Sequence, residues 1–190
     1  MDKKRKDRRS EYTCAVIKES FLSLLKEKSY DKISISEICK NAEVTRATFY
    51  LHYSNLDELF LEVLDEALEI SKNSMEFEKE NATDIFLDTP YIPICQRTAT
   101  NPKYNVLFLD PILSEYIANK LYHHEKKIRL KQLQENFNLT EFEAEKLYTF
   151  IFFGNFAVNK SLRWEKNKNW NNIQNLIRDF ITLGLSKKNS

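Results

Sequence analysis

The sequence predicts an all-α fold. Only two glycines and four prolines occur in 190 residues, so chain breakers are scarce. Apolar residues recur at spacings of three and four rather than alternating, the period of an amphipathic helix. Ser, Thr or Asp stands just ahead of several of these stripes, where its side-chain oxygen can cap a helix start.

Taken in order, residues 1–9 hold six basic side chains, Lys3, Lys4, Arg5, Lys6, Arg8 and Arg9. With no hydrophobic residue beyond Met1, they are expected to be a disordered tail. Ser10 then caps a first helix with the stripe Cys14, Ile17, Phe21, Leu24 and Leu25, ending around Ser29. Ser34-Ile-Ser-Glu37 is a capping box. It opens a second helix that buries Ile35, Ile38, Cys39 and Ala42. A short break follows at Asn41-Ala-Glu-Val44, and Thr45 caps a third helix with Phe49 and Tyr53 facing inward. Two short helices joined so tightly, with a longer one ahead, make a helix-turn-helix.

A fourth helix starts near Ser54 or Asn55 and carries Leu56, Leu59, Phe60, Val63, Leu64, Ala67 and Leu68, running toward the polar stretch Ser71 to Thr83. Thr89-Pro90 and Asp110-Pro111 each read as a cap followed by proline at the first helical position. The Asp110 helix sets Leu113, Ile117, Leu121, His124 and Ile128 down one side. Thr140-Glu-Phe-Glu143 is a second capping box, opening a helix through about Lys166. A last helix from Trp170 or Asn171 carries Ile173, Leu176, Ile177, Phe180 and Ile181.

Charge and composition narrow the function classes. Residues 1–56 carry 12 Lys/Arg against 8 Asp/Glu, a net of +4, whereas residues 57–190 carry 17 against 20, a net of −3. A polyanionic partner is therefore expected at the N-terminal part alone. No apolar run is long enough for a membrane span, and the basic N-terminus leads into no apolar stretch of the kind a secretory signal needs. Cys14, Cys39 and Cys95 lack metal-ligand spacing and fall at apolar helix positions, as free thiols do in a reducing cytoplasm. His123 and His124 are adjacent and His52 is the third histidine. No nucleophile–base arrangement, HExxH pattern or phosphate-binding glycine loop is present. An enzyme, a cofactor and a metal are not expected.

The string from Tyr30 to Phe60 closely resembles the DNA-binding domain of the TetR family of bacterial transcriptional regulators, the likeness covering about residues 10–65. Its most specific part is Val44-Thr-Arg-Ala-Thr-Phe-Tyr-Leu-His-Tyr-Ser-Asn55. The resemblance implies a DNA-binding domain over residues 1–56 and an effector-binding and dimerisation domain over residues 57–190. It puts Thr45, Arg46, Ala47 and Thr48 at the groove-facing start of the recognition helix, with Ser34, Tyr50 and His52 at further DNA-contacting positions. Arg can read guanine bidentately, Thr offers a hydroxyl and a methyl, and Ala leaves room for close approach. Two residues depart from the family pattern. Glu43 stands where a turn glycine is usual, and Leu56 stands where a phosphate-contacting lysine is frequent. The segment from Tyr148 to Ala157, leading to Arg163-Trp164, is faintly similar to members related to dihydroxyacetone-kinase regulators.

These features predict a ligand-responsive homodimeric repressor in the cytoplasm, bound to palindromic double-stranded DNA and released by a small-molecule effector, with no membrane partner. Phe150, Ile151, Phe152, Phe153 and Phe156 surround one helix on nearly every side, so it should be buried all round. With Gly154, Ile173, Ile177 and Phe180, Phe153 marks an expected four-helix dimer interface. Phe86, Tyr91, Phe108, Tyr116, Tyr122 and Tyr148 are candidate effector-pocket residues, with His124 as a polar anchor. The alternative is a helical ligand-binding co-activator of the same fold that does not itself bind DNA.

Overall fold

A computed structural model describes residues 2–76 and 94–186. Among these residues the chain is helical and contains no strand. The elements are α1 (Asp2–Glu27), a 3-10 turn (Tyr30–Lys32), α2 (Ile35–Asn41), α3 (Arg46–Tyr50), α4 (Leu56–Glu76), α5 (Ile94–Ala99), α6 (Asn105–Leu109), α7 (Pro111–Phe137), α8 (Glu141–Ser161) and α9 (Lys168–Ser186). The expected start at Thr89-Pro90, with Phe86 and Tyr91, lies outside the described residues.

The expected caps at Ser34, Thr45, Asp110 and Thr140 are in place, whereas Ser10, expected to cap the first helix, lies inside α1. Ser34 and Glu37 form a reciprocal capping box on α2, and Thr140 and Glu143 form another on α8. Asp110 caps α7, its Oδ1 accepting from the Ile112 and Leu113 amides at 2.9 Å each. The N-terminus corrects an expectation. Residues 2–9 are helical and continue into α1. Lys and Arg are good helix formers, and no Gly or Pro interrupts the passage into Ser10. Once nucleated by the packed part of α1, the helix extends backwards.

A single apolar core runs from α1 to the turn after α8. Ile17, Phe21, Ile38, Phe49 and Tyr53 belong to it, as do Leu59, Leu64, Leu107, Phe108, Ile117 and Trp164. It passes without a break across residue 56. Polar links follow the same seam. Glu66 on α4 accepts from Lys18 of α1 at 2.8 Å and from the buried Tyr104 hydroxyl at 2.6 Å. Lys103 joins Glu66 at 3.3 Å and Glu19 at 2.9 Å.

A second cluster joins the far half of α7 to α8 and the end of α9 through Tyr122, Leu133, Phe137, Leu139, Ala144, Tyr148 and Leu185. The buried face of α7 therefore rotates. Leu113, Ile117 and Leu121 face the first core, and Tyr122, Leu133 and Phe137 face the second. The expected stripe does not continue: His124 and Ile128 are exposed, because α8 packs on a neighbouring face.

Asn159 of α8, itself buried, is a polar hub. Its Oδ1 accepts from Trp170 Nε1 at 2.7 Å, Gln96 Nε2 at 3.1 Å and Gln174 Nε2 at 3.2 Å, tying α5 and α9 to α8. Helix α8 ends at Ser161, short of Lys166, because Arg163 and Trp164 both adopt left-handed backbone with φ of 53° and 58°.

Candidate nucleic-acid interface

The geometry begins with the turn between α2 and α3. The Val44 amide donates to the Cys39 carbonyl at 3.0 Å and the Glu43 amide to the Lys40 carbonyl at 3.3 Å. This is the Schellman pattern of a helix end, which places one residue in left-handed backbone. That residue is Glu43, with φ of 54°, where glycine would be unstrained. Thr45 then caps α3, its hydroxyl accepting from the Thr48 amide at 3.0 Å. Phe49 is fully buried and contacts Tyr53 and Tyr50, with ring centroids 5.6 Å apart in each pair. The core thus anchors one side of this short helix and leaves Arg46, Ala47 and Tyr50 exposed on the other.

Arg46 does not hang free. Its Nη1 donates to Ser36 Oγ at 3.2 Å and its Nη2 to the Tyr50 hydroxyl at 3.3 Å, with the guanidinium carbon 6.0 Å from the Tyr50 ring centre. Ser36 is the residue the sequence reading missed. It lies ten positions before Arg46 on another helix, and only the turn brings the two together. Of the other expected residues, Ser34 and Thr45 are exposed and serve as caps, and Thr48 is half-buried with its hydroxyl 2.8 Å from that of Thr45. His52 is half-buried, its Nδ1 3.4 Å from Cys14 Sγ on α1. The side chain of Leu56 is half-buried and packs against the core.

The electrostatics of the face reflect local pairing. Lys28, then the Ser34 hydroxyl and amide, donate to Glu37 and hold its carboxyl down at about 2. Burial pushes the Tyr53 phenol up. Its hydroxyl has no hydrogen-bond partner among the described residues, and neither does the indole N–H of Trp164.

The expected pocket residues among those described make separate contacts. Phe108 is buried edge-on against Trp164, at 5.5 Å between centres. Tyr116 is exposed and leans on Phe60. Tyr122 and Tyr148 come together, stacked at 5.0 Å, and the Tyr148 hydroxyl donates to the Tyr122 carbonyl at 3.3 Å. His124 is exposed. Nor is α8 buried all round in the single chain. Phe150 is 63% exposed, Gly154 has no neighbouring atom within 4 Å of where a Cβ would stand, and Phe153 is half-buried. On α9, Leu176, Phe180 and Leu183 are exposed, and Ile173 and Ile177 are half-covered. Among the described residues, no helix is long and apolar enough to cross a membrane, and no group of three or more His, Cys, Asp or Glu is placed to hold a metal ion.

A capped α2, a Schellman turn and a short capped α3, anchored by Phe49 in the core, define a helix-turn-helix domain. Residues 22–63 match the family model described as "Bacterial regulatory proteins, tetR family", so this N-terminal domain is of the tetR family. The chain is 40% identical over 53 residues to an uncharacterized HTH-type transcriptional regulator of Haemophilus influenzae, covering 28% of this chain and 26% of that protein. It is 44% identical over 54 residues to the uncharacterized HTH-type transcriptional regulator YxbF of Bacillus subtilis, covering 28% of this chain and 14% of that one. The similarity thus spans about a quarter or less of either relative's length. No solved structure matches the chain significantly.

Proposed function

We propose that the protein is a sequence-specific DNA-binding transcriptional regulator rather than an enzyme, acting in the cytoplasm as a homodimeric, ligand-responsive repressor. In this reading residues 1–56 read DNA, and residues 57–190 dimerise and sense an effector. The observation that carries it is Arg46, held ready by Ser36 and Tyr50 on the exposed side of α3 within a tetR-family helix-turn-helix. A guanidinium fixed in this way can address a guanine edge at reduced entropic cost, with Thr45 and Ala47 beside it.

Dimerisation is supported by the exposed apolar positions of α8 and α9, Phe150, Leu176, Phe180 and Leu183, which lie in water in a single chain. A two-fold axis would set two copies of α3 about one DNA turn apart on a palindrome. Binding-site selection from random duplex DNA tests the reading. Enrichment of a palindromic sequence that the Arg46→Ala protein no longer enriches is the expected result. Binding that is uniform across sequences, or absent, would overturn it.

A further inference from the structure

We propose that the groove between the α5–α6 connection and the α8–α9 turn is a binding site for a small organic anion with a flat apolar body. The groove has a volume of about 380 Å³ and is lined by Thr100, Pro102, Asn105, Leu109 and residues 163–166. Trp164 forms part of its wall. The indole is only 1% exposed and its N–H has no acceptor among the described residues. A buried donor in that condition is rare in folded proteins and calls for an acceptor such as a water, an ion or a ligand atom. The ring is held edge-on by Phe108 and Phe156, at 5.5 and 5.1 Å between centres.

The remaining groups set the charge of the ligand. Arg163 and Lys166 are exposed and form no ion pair among the described residues, and Lys166 rests 6.0 Å from the Trp170 ring centre. Glu165 is the one acidic residue in the lining, so the cations exceed it by one. The Asn105 amide is already committed, Nδ2 donating to the Ala99 carbonyl at 2.7 Å. A carboxylate or sulfonate meets both needs, accepting from the indole and countering the rim cations, while Pro102, Leu109 and the indole edge take a flat apolar body. The position also has reach. Leu109 immediately precedes Asp110, whose carboxylate holds the Tyr30 amide at the entrance to the helix-turn-helix.

This site deepens the ligand-responsive reading above, and it is tested without DNA, so that either can fail alone. The experiment is titration of the full-length ¹⁵N-labelled protein with 1-naphthoate, following the two tryptophan indole N–H signals. Trp164→Phe assigns them, with Trp170→Phe as the second route if the first variant does not fold. The expected result is a saturable downfield shift of the Trp164 signal alone, since Trp170 already donates to Asn159. The exposed pair Arg163→Gln and Lys166→Gln should weaken binding about fivefold, the scale of two solvent-facing charge contacts, and neutral 1-naphthylmethanol should bind more weakly than 1-naphthoate. A Trp164 signal unmoved at millimolar 1-naphthoate, or a shift with undiminished affinity in the double variant, would overturn the proposal. Release of operator DNA by the same compound is a separate measurement, bearing on the regulatory reading alone.

Discussion

Asp110 binds in two directions at once. One carboxylate oxygen caps α7 through the Ile112 and Leu113 amides, and the other accepts the Tyr30 backbone N–H at 2.8 Å, eighty residues away in sequence. Tyr30 in turn donates its hydroxyl to Asp57 at the start of α4, and its ring packs against Phe21 and Phe60. A single buried side chain thus joins the first turn of α7 to the turn that enters α2.

Replacing it should be costly. Asp110→Ala removes a helix cap and leaves the Tyr30 amide unsatisfied, an expected loss of about 2–4 kcal/mol. Asp110→Asn keeps an acceptor oxygen and should lose less. Urea unfolding reads the difference as a drop in midpoint at constant slope. Equal losses for the two variants would show that both oxygens must accept, because the Asn amide nitrogen cannot take the second backbone N–H.

Glu43 offers the opposite change. A side chain in left-handed backbone costs about 1–2 kcal/mol relative to an unstrained one, and glycine removes most of that while giving back some backbone entropy. Glu43→Gly should therefore stabilise the protein by about 1 kcal/mol. Thermal or urea unfolding decides the sign, and a destabilised variant would mean that the Glu43 side chain makes a compensating interaction.

Ser36 should matter to DNA binding through Arg46. Arg46→Ala is expected to cost about 1–3 kcal/mol at one base pair per half-site. Ser36→Ala removes one of two supports and should cost about 0.5–1 kcal/mol at that same base pair. Affinity for unrelated DNA should not change. Fluorescence anisotropy with the selected operator and its single-base variants measures both, and a Ser36→Ala loss spread evenly over all sequences would count against a positioning role.

Glu66 predicts an acid limb in stability. Burial opposes its ionisation, but hydrogen bonds from Lys18 and Tyr104, then the charges of Lys18 and Lys103, outweigh this and hold it at about 2, below its ordinary 4.5. The folded state therefore binds a proton less readily than the unfolded chain. The contribution is fully present above about pH 4.5 and is lost as pH falls toward 2. Glu66→Gln should lower stability at neutral pH and flatten the decline across that window. An unchanged slope in urea unfolding between pH 5 and 3 would assign the decline to other carboxylates.

Gly154 separates folding from assembly. A Cβ there meets nothing within 4 Å among the described residues, so Gly154→Arg should leave the fold of each subunit intact. If α8 and α9 form the dimer face, the charge lands on both sides of the two-fold axis and the protein should sediment as a monomer. A dimer at the parent's affinity would move the interface elsewhere.

The caps and the first core stripe were legible because they depend on residues close in sequence. Ser34 with Glu37, Thr140 with Glu143, and Asp110 before Pro111 each carry their partner within three positions. Glu43 was marked by the family likeness, as a residue standing where a turn glycine is usual, and its backbone is left-handed. Contacts set by tertiary placement were not legible. Periodicity carried the α7 stripe onward to His124 and Ile128, although the packing neighbour changes after Leu121. Ser36 and Trp164 were invisible as partners for a related reason. Ser36 meets its guanidinium across a turn, and the Trp164 indole is notable only for an acceptor that is missing.

The unbroken core across residue 56 has a further consequence. Phe21, Leu25 and Ile33 share one apolar cluster with Phe60, Leu107 and Ile117. A fragment cut after Leu56 would bare those faces to water, so the helix-turn-helix cut there is expected not to fold on its own. Heat should melt the N-terminal helices and α4 to α7 in one cooperative transition. Whatever loosens the packing around α6 then softens the three N-terminal helices in the same event, with no separate messenger between them.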